Sequence, residues 1–260
     1  MIAILSPAKT LDFETPLFGS PEPTQPICIE QSALLIEALK KKSPKQIGKL
    51  MGVSDKLAEL NHHRFQNWET PFTPTNSRSC GLAFKGDVYQ GLQAETFSTD
   101  QLLYSQDHLR ILSGLHGLLR PLDLIQPYRL EMGTDLKIRQ NKNLYEFWGT
   151  RLTTLLNEDL AKISSPALVN LASNEYSSAL QFKEINCPII SPVFHDEKNG
   201  KFKMISFFAK KARGLMARYL ITNEITNPDD IKSFNLEGYS YHEESSTPDK
   251  PVFQRPENWK

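Results

Sequence analysis

Three short apolar runs in this chain end in the same way. Ile2-Ala3-Ile4-Leu5 is closed by Ser6-Pro7, Leu109-Arg110-Ile111-Leu112 by Ser113-Gly114, and Ala167-Leu168-Val169-Asn170-Leu171-Ala172 by Ser173-Asn174. Apolar runs of this length, bounded by small polar residues, read as buried strands entering loops. After the third run, Ser173 or Asn174 is placed to cap a helix, with Glu175 in its first turn where the helix dipole favours an acid. Strand, polar turn and helix in succession form the unit of an α/β sheet, and open sheets of that kind collect ligands outside the carboxyl ends of their strands. The pattern predicts that Lys9, Ser113, Asn174, Glu175 and Tyr176 share one cleft.

Pro44 to Trp68 follows a helical period instead. Pro44 suits a helix start, Ile47, Leu50 and Met51 recur at helical spacing, and Gly52-Val53-Ser54 separates them from a second helix carrying Leu57, Leu60 and Phe65, with Ser54 and Asp55 at its cap. Further on, Pro192–Asp196 and Lys201–Phe207 flank Glu197-Lys198-Asn199-Gly200, and Asn-Gly between two such runs signals a β-hairpin. A helix is predicted from about Phe208 to Ile221. At 100° per residue, Phe208, Ala212, Leu215, Met216 and Tyr219 fall on one side, opposite Lys210, Lys211, Arg213 and Arg218.

The fold class this predicts is α/β (mixed α+β): one large domain over 1–260 with a central sheet, surrounding helices and a helix-hairpin-helix element at about 44–65. An acidic C-terminal tail is expected over about 240–260. With 260 residues and 39% hydrophobic content, the chain can bury a substantial core. Its longest apolar runs are far shorter than the ~20 residues of a membrane span, and Met1–Leu5 is too brief for a signal peptide, so a cytoplasmic protein with no membrane partner is expected. Cys28, Cys80 and Cys187 are scattered and odd in number, as reduced thiols would be, and no regular metal-ligand spacing occurs, so neither metal nor cofactor is expected. Dinucleotide, P-loop and nucleophile-elbow motifs are absent as well.

Charge changes the picture locally. Lys plus Arg and Asp plus Glu each number 30, yet Phe207–Leu220 holds four bases and no acid. Such a face either contacts an anion or is met by acids from elsewhere, for which the acid-rich segment after it is the natural source. Lys45, Lys49, Lys56 and Arg64 surround the helical hairpin, whose second helix start offers free amides to a phosphate. Phe84-Lys85-Gly86-Asp87-Val88-Tyr89 reads as a strand end or tight turn. Arg120, Asp123, Arg129 and Glu131 have the look of ion pairs fixing an irregular loop.

Several of these motifs occur together and in order: Ile4-Leu5-Ser6-Pro7-Ala8-Lys9-Thr10-Leu11, Phe84–Tyr89, Gln126-Pro127-Tyr128-Arg129-Leu130-Glu131-Met132-Gly133, Asn170–Ser173 with Glu175-Tyr176, and Asp196–Gly200 through Ala209–Gly214. Up to about Tyr239 the chain resembles the bacterial peroxide stress protein YaaA family, also called UPF0246 or DUF328. The resemblance implies a cytosolic protein of hydrogen peroxide resistance that limits free iron and the damage it drives. It also implies binding of double-stranded DNA through a helix-hairpin-helix, here Pro44 to Phe65, and a basic cleft, here Lys9, Lys85, Arg129, Lys210, Lys211 and Arg213. The turn departs from the usual Gly, small apolar, Gly by ending in Ser54.

Two functions follow as expectations. In the first, Lys49, Gly52, Ser54 and Lys56 of the hairpin join the cleft cations in contacting duplex phosphates, with a preference for bent or damaged DNA over base readout. In the second, the cleft belongs to an enzyme for a small phosphorylated or carboxylated ligand, such as a nucleotide. Lys9 or Lys85 then serves as clamp or nucleophile, and Asp87 or Glu175 as acid or base.

Overall fold

All four side chains of Ile2–Leu5 are buried, as a strand covered on both faces requires. The computed structural model describes residues 1–16 and 20–259. Following this strand, β1, come β2 (Thr10–Leu11), α1 (Ile29–Lys40), α2 (Pro44–Met51), α3 (Asp55–Asn67), β3 (Arg78–Ser79), α4 (Cys80–Ala83), β4 (Phe84–Lys85) and α5 (Asp87–Leu92). The middle of the chain forms α6 (Thr99–His108), β5 (Leu109–Ser113), β6 (Gly117–Leu119), β7 (Leu124–Ile125), α7 (Leu144–Trp148) and α8 (Arg151–Lys162). It continues through β8 (Leu168–Asn170), α9 (Asn174–Ser177), β9 (Ile189–Ile190), β10 (Val193–Lys198), β11 (Lys201–Lys203), α10 (Ser206–Thr222), β12 (Ser240–Tyr241) and β13 (Val252–Arg255).

The main sheet has the order β6-β5-β1-β8-β9, with β6 antiparallel to an otherwise parallel set. Ala3 lies opposite Leu109 on one side and Val169 on the other, so the three apolar runs with polar ends are adjacent strands. The architecture is mixed α/β. A second sheet has the order β11-β10-β13-β12, and its strands β10 and β13 run parallel. Asn199 and Gly200 close the β10–β11 hairpin with φ of 56° and 72°, the left-handed pair that a two-residue turn demands. Phe194 and Phe253 of this sheet pack edge-on with Phe234, and Phe194 also with Tyr239, and the buried apolar core is continuous from them to β1.

Two expectations change. Residues 240–255 supply β12 and β13 rather than a free acidic tail, because Val252, Phe253 and Arg255 are buried in register with Val193, Phe194 and Asp196; Lys260, the last residue of that expected tail, lies outside the described residues. The α10 helix starts at Ser206 and is buried round most of its circumference, Ala209, Gly214 and Ala217 as well as Ala212, Leu215, Met216 and Tyr219. On one side it meets α5 so closely that a Cβ on Gly214 would overlap the Val88 carbonyl, and one on Gly91 the Lys211 carbonyl. Phe208, expected inside, is exposed. Among the described residues no helix is long and apolar enough to cross a membrane.

Candidate functional site

The carboxyl ends of β5, β1 and β8 lie side by side, so the loops that follow Ser113, Leu5 and Asn170 open at one edge of the sheet. Short polar side chains tie these loops together. Ser6 Oγ accepts from the Ser173 amide at 2.9 Å and donates to Ser173 Oγ at 3.2 Å, while Tyr89 donates to the Ser6 carbonyl at 3.1 Å. Ser173 is the N-cap of α9 but makes no cap bond, its hydroxyl being turned to Ser6 instead. Ser113 Oγ and the Tyr128 hydroxyl share a bond of 2.6 Å.

A carboxylate organises the cations of this edge. Glu131 binds Lys9 Nζ at 2.7 Å through one oxygen and Arg129 Nη2 at 3.0 Å through the other. Arg129 Nε is buried without a hydrogen-bond partner among the described residues. Nearby, Glu175 Oε1 accepts the Gly133 amide at 3.0 Å, and the Tyr145 hydroxyl donates to the Glu175 carbonyl at 2.9 Å. Burial, reinforced by Tyr128, Glu175 and Glu131, pushes the Tyr176 hydroxyl far above its usual pKa. Tyr176 therefore stays protonated at any physiological pH.

Pairing of β2 with β4 sets Thr10 opposite Lys85 and brings the Gly86 turn against Ala8. Lys85 faces Asp12 at 3.6 Å, whereas Asp87, at the start of α5, faces Lys210 at 4.0 Å. The Thr15 amide and hydroxyl, with the Glu14 amide, hold the Asp12 carboxyl well below the usual carboxylate range. Lys211 is bound by Glu237 at 2.6 Å, and Arg218 lies over Phe97 while donating to the Leu92 and Gln93 carbonyls. Each of Lys9, Lys85, Arg129, Lys210 and Lys211 thus has a carboxylate partner. Arg213 is half-buried with no hydrogen bond or ion pair among the described residues, and burial lowers its pKa.

The helical hairpin is built differently. Ser43 and Gln46 form a capping box ahead of Pro44, with the Ser43 amide donating to Gln46 Oε1 at 2.8 Å. Gly48 packs on Ala58, where an added Cβ would stand 3.3 Å from the Ala58 methyl. Gly52 takes the left-handed conformation (φ 61°, ψ 40°) that ends α2. Ser54 is extended (φ −62°, ψ 158°), so its backbone shape needs no glycine, and its side chain makes no cap bond to α3. Lys49 and Lys56 are exposed around this turn, with Lys45 exposed at the other end of α2, and none has an acid partner among the described residues; Asp55 and Leu57 are exposed beside Lys56. At its far end α3 places Arg64 with Asp12, Lys85 and Pro127 around an open cavity of about 580 Å³, which joins the hairpin to the cleft.

Of the residues singled out from the sequence, Lys9 and Arg129 meet on Glu131, Lys85 meets Asp12, Asp87 meets Lys210 and Glu175 holds the Gly133 amide; the sequence did not point to Asp12 or to the shared role of Glu131. The Asp12-x-x-Thr15 spacing, which favours a local side-chain turn, was the available signal for the first. Cys28, Cys80 and Cys187 are unpaired. Among the described residues no group of three or more His, Cys, Asp or Glu is placed to hold a metal ion.

A model of the family described as Peroxide stress protein YaaA matches residues 1–245. Proteins named "UPF0246 protein" from Polynucleobacter necessarius subsp. necessarius (strain STIR1) and Polynucleobacter asymbioticus (strain DSM 18221 / CIP 109841 / QLW-P1DMWA-1) are each 53% identical over 257 residues, covering 99% of both chains. With a match over nearly its whole length, the chain belongs to the peroxide stress protein YaaA family.

Proposed function

We propose that this family member serves the peroxide stress response by contacting double-stranded DNA through the α2–α3 hairpin, limiting iron-driven damage there. One observation carries the reading: the hairpin turn exposes Lys49 and Lys56 without acid partners among the described residues, beside the uncapped start of α3 and the free hydroxyl of Ser54. Backbone amides at a helix start and lysine ammonium groups act together on a phosphate. The basic side of α10 supports the reading less, since Lys211 and Arg218 are engaged within the fold. Arg64 and Lys85 extend the same track toward the cleft.

The test is anisotropy of a labelled duplex, intact, bent and gapped, across a salt series. Replacing Lys49 and Lys56 by Ala removes roughly 2 phosphate contacts and flattens the log-log salt slope by about 1.8. A slope unchanged by that variant refutes the hairpin assignment.

A second reading is favoured by Glu131, which holds Lys9 and Arg129 at the carboxyl edge of a parallel sheet beside Glu175. Two cations already oriented on one carboxylate suit a small phosphorylated or carboxylated ligand that displaces it. Calorimetry with inorganic phosphate and with mononucleotides, repeated on Glu131→Gln, separates this reading from the first, because the hairpin is untouched.

A further inference from the structure

Among the exposed large apolar side chains Phe207, Phe208 and Trp259 meet at one place, and Phe202 and Met204 are exposed on the segment that leads into it. Phe202, Met204, Phe207, Phe208 and Trp259 are 42%, 61%, 52%, 38% and 38% exposed. Phe207, Phe208 and Trp259 line a cavity of about 490 Å³ between the β10–β11 hairpin, the start of α10 and the C-terminal segment, with Lys198 and Gln90 also in its wall. The rings are fixed in place. Phe207 packs edge-on against Phe208 at 5.6 Å, and Phe208 and Trp259 lie 4.7 and 5.1 Å from the guanidinium of Arg255, itself locked on Asp196 at 2.6 Å.

Charge around the cavity is sorted. Two of its acids are neutralised, Asp196 by Arg255 and Glu237 by Lys211, whereas Glu197 and Glu257 accept backbone amides of Glu257 and Asn199 and keep their charge at the rim. The lysines of the hairpin are not neutralised. Lys198 stands directly opposite Lys201 in the ladder, and Lys203, opposite the Asp196 that Arg255 neutralises, lies next along the same face; none of the three has an ion pair among the described residues. Like charges directly opposed across a ladder are destabilising, so a polyanion laid along the hairpin relieves a cost the free fold carries.

We propose that this cavity binds an unpaired nucleotide of single-stranded DNA, its base stacked on Phe207, Phe208 and Trp259 and the flanking phosphates held by Lys198, Lys201 and Lys203. Rigid exposed rings beside a basic track are the ordinary means of holding a single strand, since every base offers a π-face. The Gln90 amide, exposed on α5 with no side-chain partner among the described residues, supplies a donor and an acceptor to the base edge. The site shares no residue with the helical hairpin and does not depend on duplex binding there.

Trp259 provides the readout, because Trp68 and Trp148 are buried. Titrating the full chain with a twelve-residue oligothymidylate is expected to quench tryptophan emission, and Trp259→Ala to abolish the quench. Phe207→Ala with Phe208→Ala is expected to weaken binding about tenfold, and Lys198→Ala/Lys201→Ala/Lys203→Ala to lower the salt slope by roughly 2. All these positions are exposed, so the variants keep the fold. Duplex binding should be unchanged by the ring substitutions, and oligothymidylate binding unchanged by Lys49→Ala/Lys56→Ala, so that either site can fail alone. Absence of quenching, affinity indifferent to the ring substitutions, thymidine monophosphate binding as tightly as the oligonucleotide, or association only with anionic phosphatidylserine vesicles would each overturn the proposal.

Discussion

Lys211 donates to Glu237 at 2.6 Å, joining the basic side of α10 to a carboxylate 26 residues further along the chain. The unbalanced charge of Phe207–Leu220 is therefore answered inside the fold at this position. Lys210→Ala with Lys211→Ala is expected to leave duplex affinity within about twofold and the salt slope unchanged, while lowering stability by about 1 kcal/mol. Anisotropy and urea unfolding on the same samples check both halves.

The contact of α5 with α10 admits no side chain at its crossing. Since a Cβ on Gly214 would meet backbone rather than a flexible group, the helices must separate to accept one. Gly214→Ala should cost about 3 kcal/mol, read as a lowered urea midpoint with little change in m.

His116 is wholly buried, its Nδ1 bonded to Ser32 Oγ at 3.0 Å and its Nε2 without a partner among the described residues. Burial pulls its pKa from 6.5 down to about 3. The unfolded chain therefore takes up a proton that the fold refuses, and stability falls by about 1.4 kcal/mol per pH unit as pH drops from about 6.5 toward about 3. Above that window the group contributes no pH dependence. In His116→Gln the slope of unfolding free energy against pH should be smaller by about one proton within it.

Asp55 sits in the first turn of α3, where the helix dipole welcomes it but an approaching phosphate does not. Asp55→Asn is expected to tighten duplex binding about threefold and to cost the isolated fold about 0.5 kcal/mol. Opposite signs from one substitution separate a binding effect from a folding one.

Local signals carried much of this structure. Runs ended by Ser6, Ser113 and Ser173 marked three neighbouring strands, Asn199-Gly200 marked the hairpin, and Gly52 marked the turn between α2 and α3, because each follows from backbone rules acting over a few residues. What was not legible depends on distant partners. Nothing near Lys211 points to Glu237, and nothing near Phe208 points to Arg255, over whose buried guanidinium the ring lies. The helical period also placed only one side of α10 inward, whereas a helix lodged against α5 as well as β10 buries Ala209, Gly214 and Ala217 too. In the cleft, residue types were readable and pairings were not: Lys85 takes Asp12 from the neighbouring loop, not Asp87 two residues away.

In each of the two larger sheets a strand lies between two that are made on the same side of it in time: β1 precedes both of its neighbours, β5 and β8, and β13 follows both of its own, β10 and β12. The four buried side chains of Ile2–Leu5 therefore stay without a sheet partner until Leu109–Ser113 has been made, and β10 and β12 cannot be joined until Val252–Arg255 has. Dependence on chaperones that shield unpaired strands should be greatest while those partners are still missing.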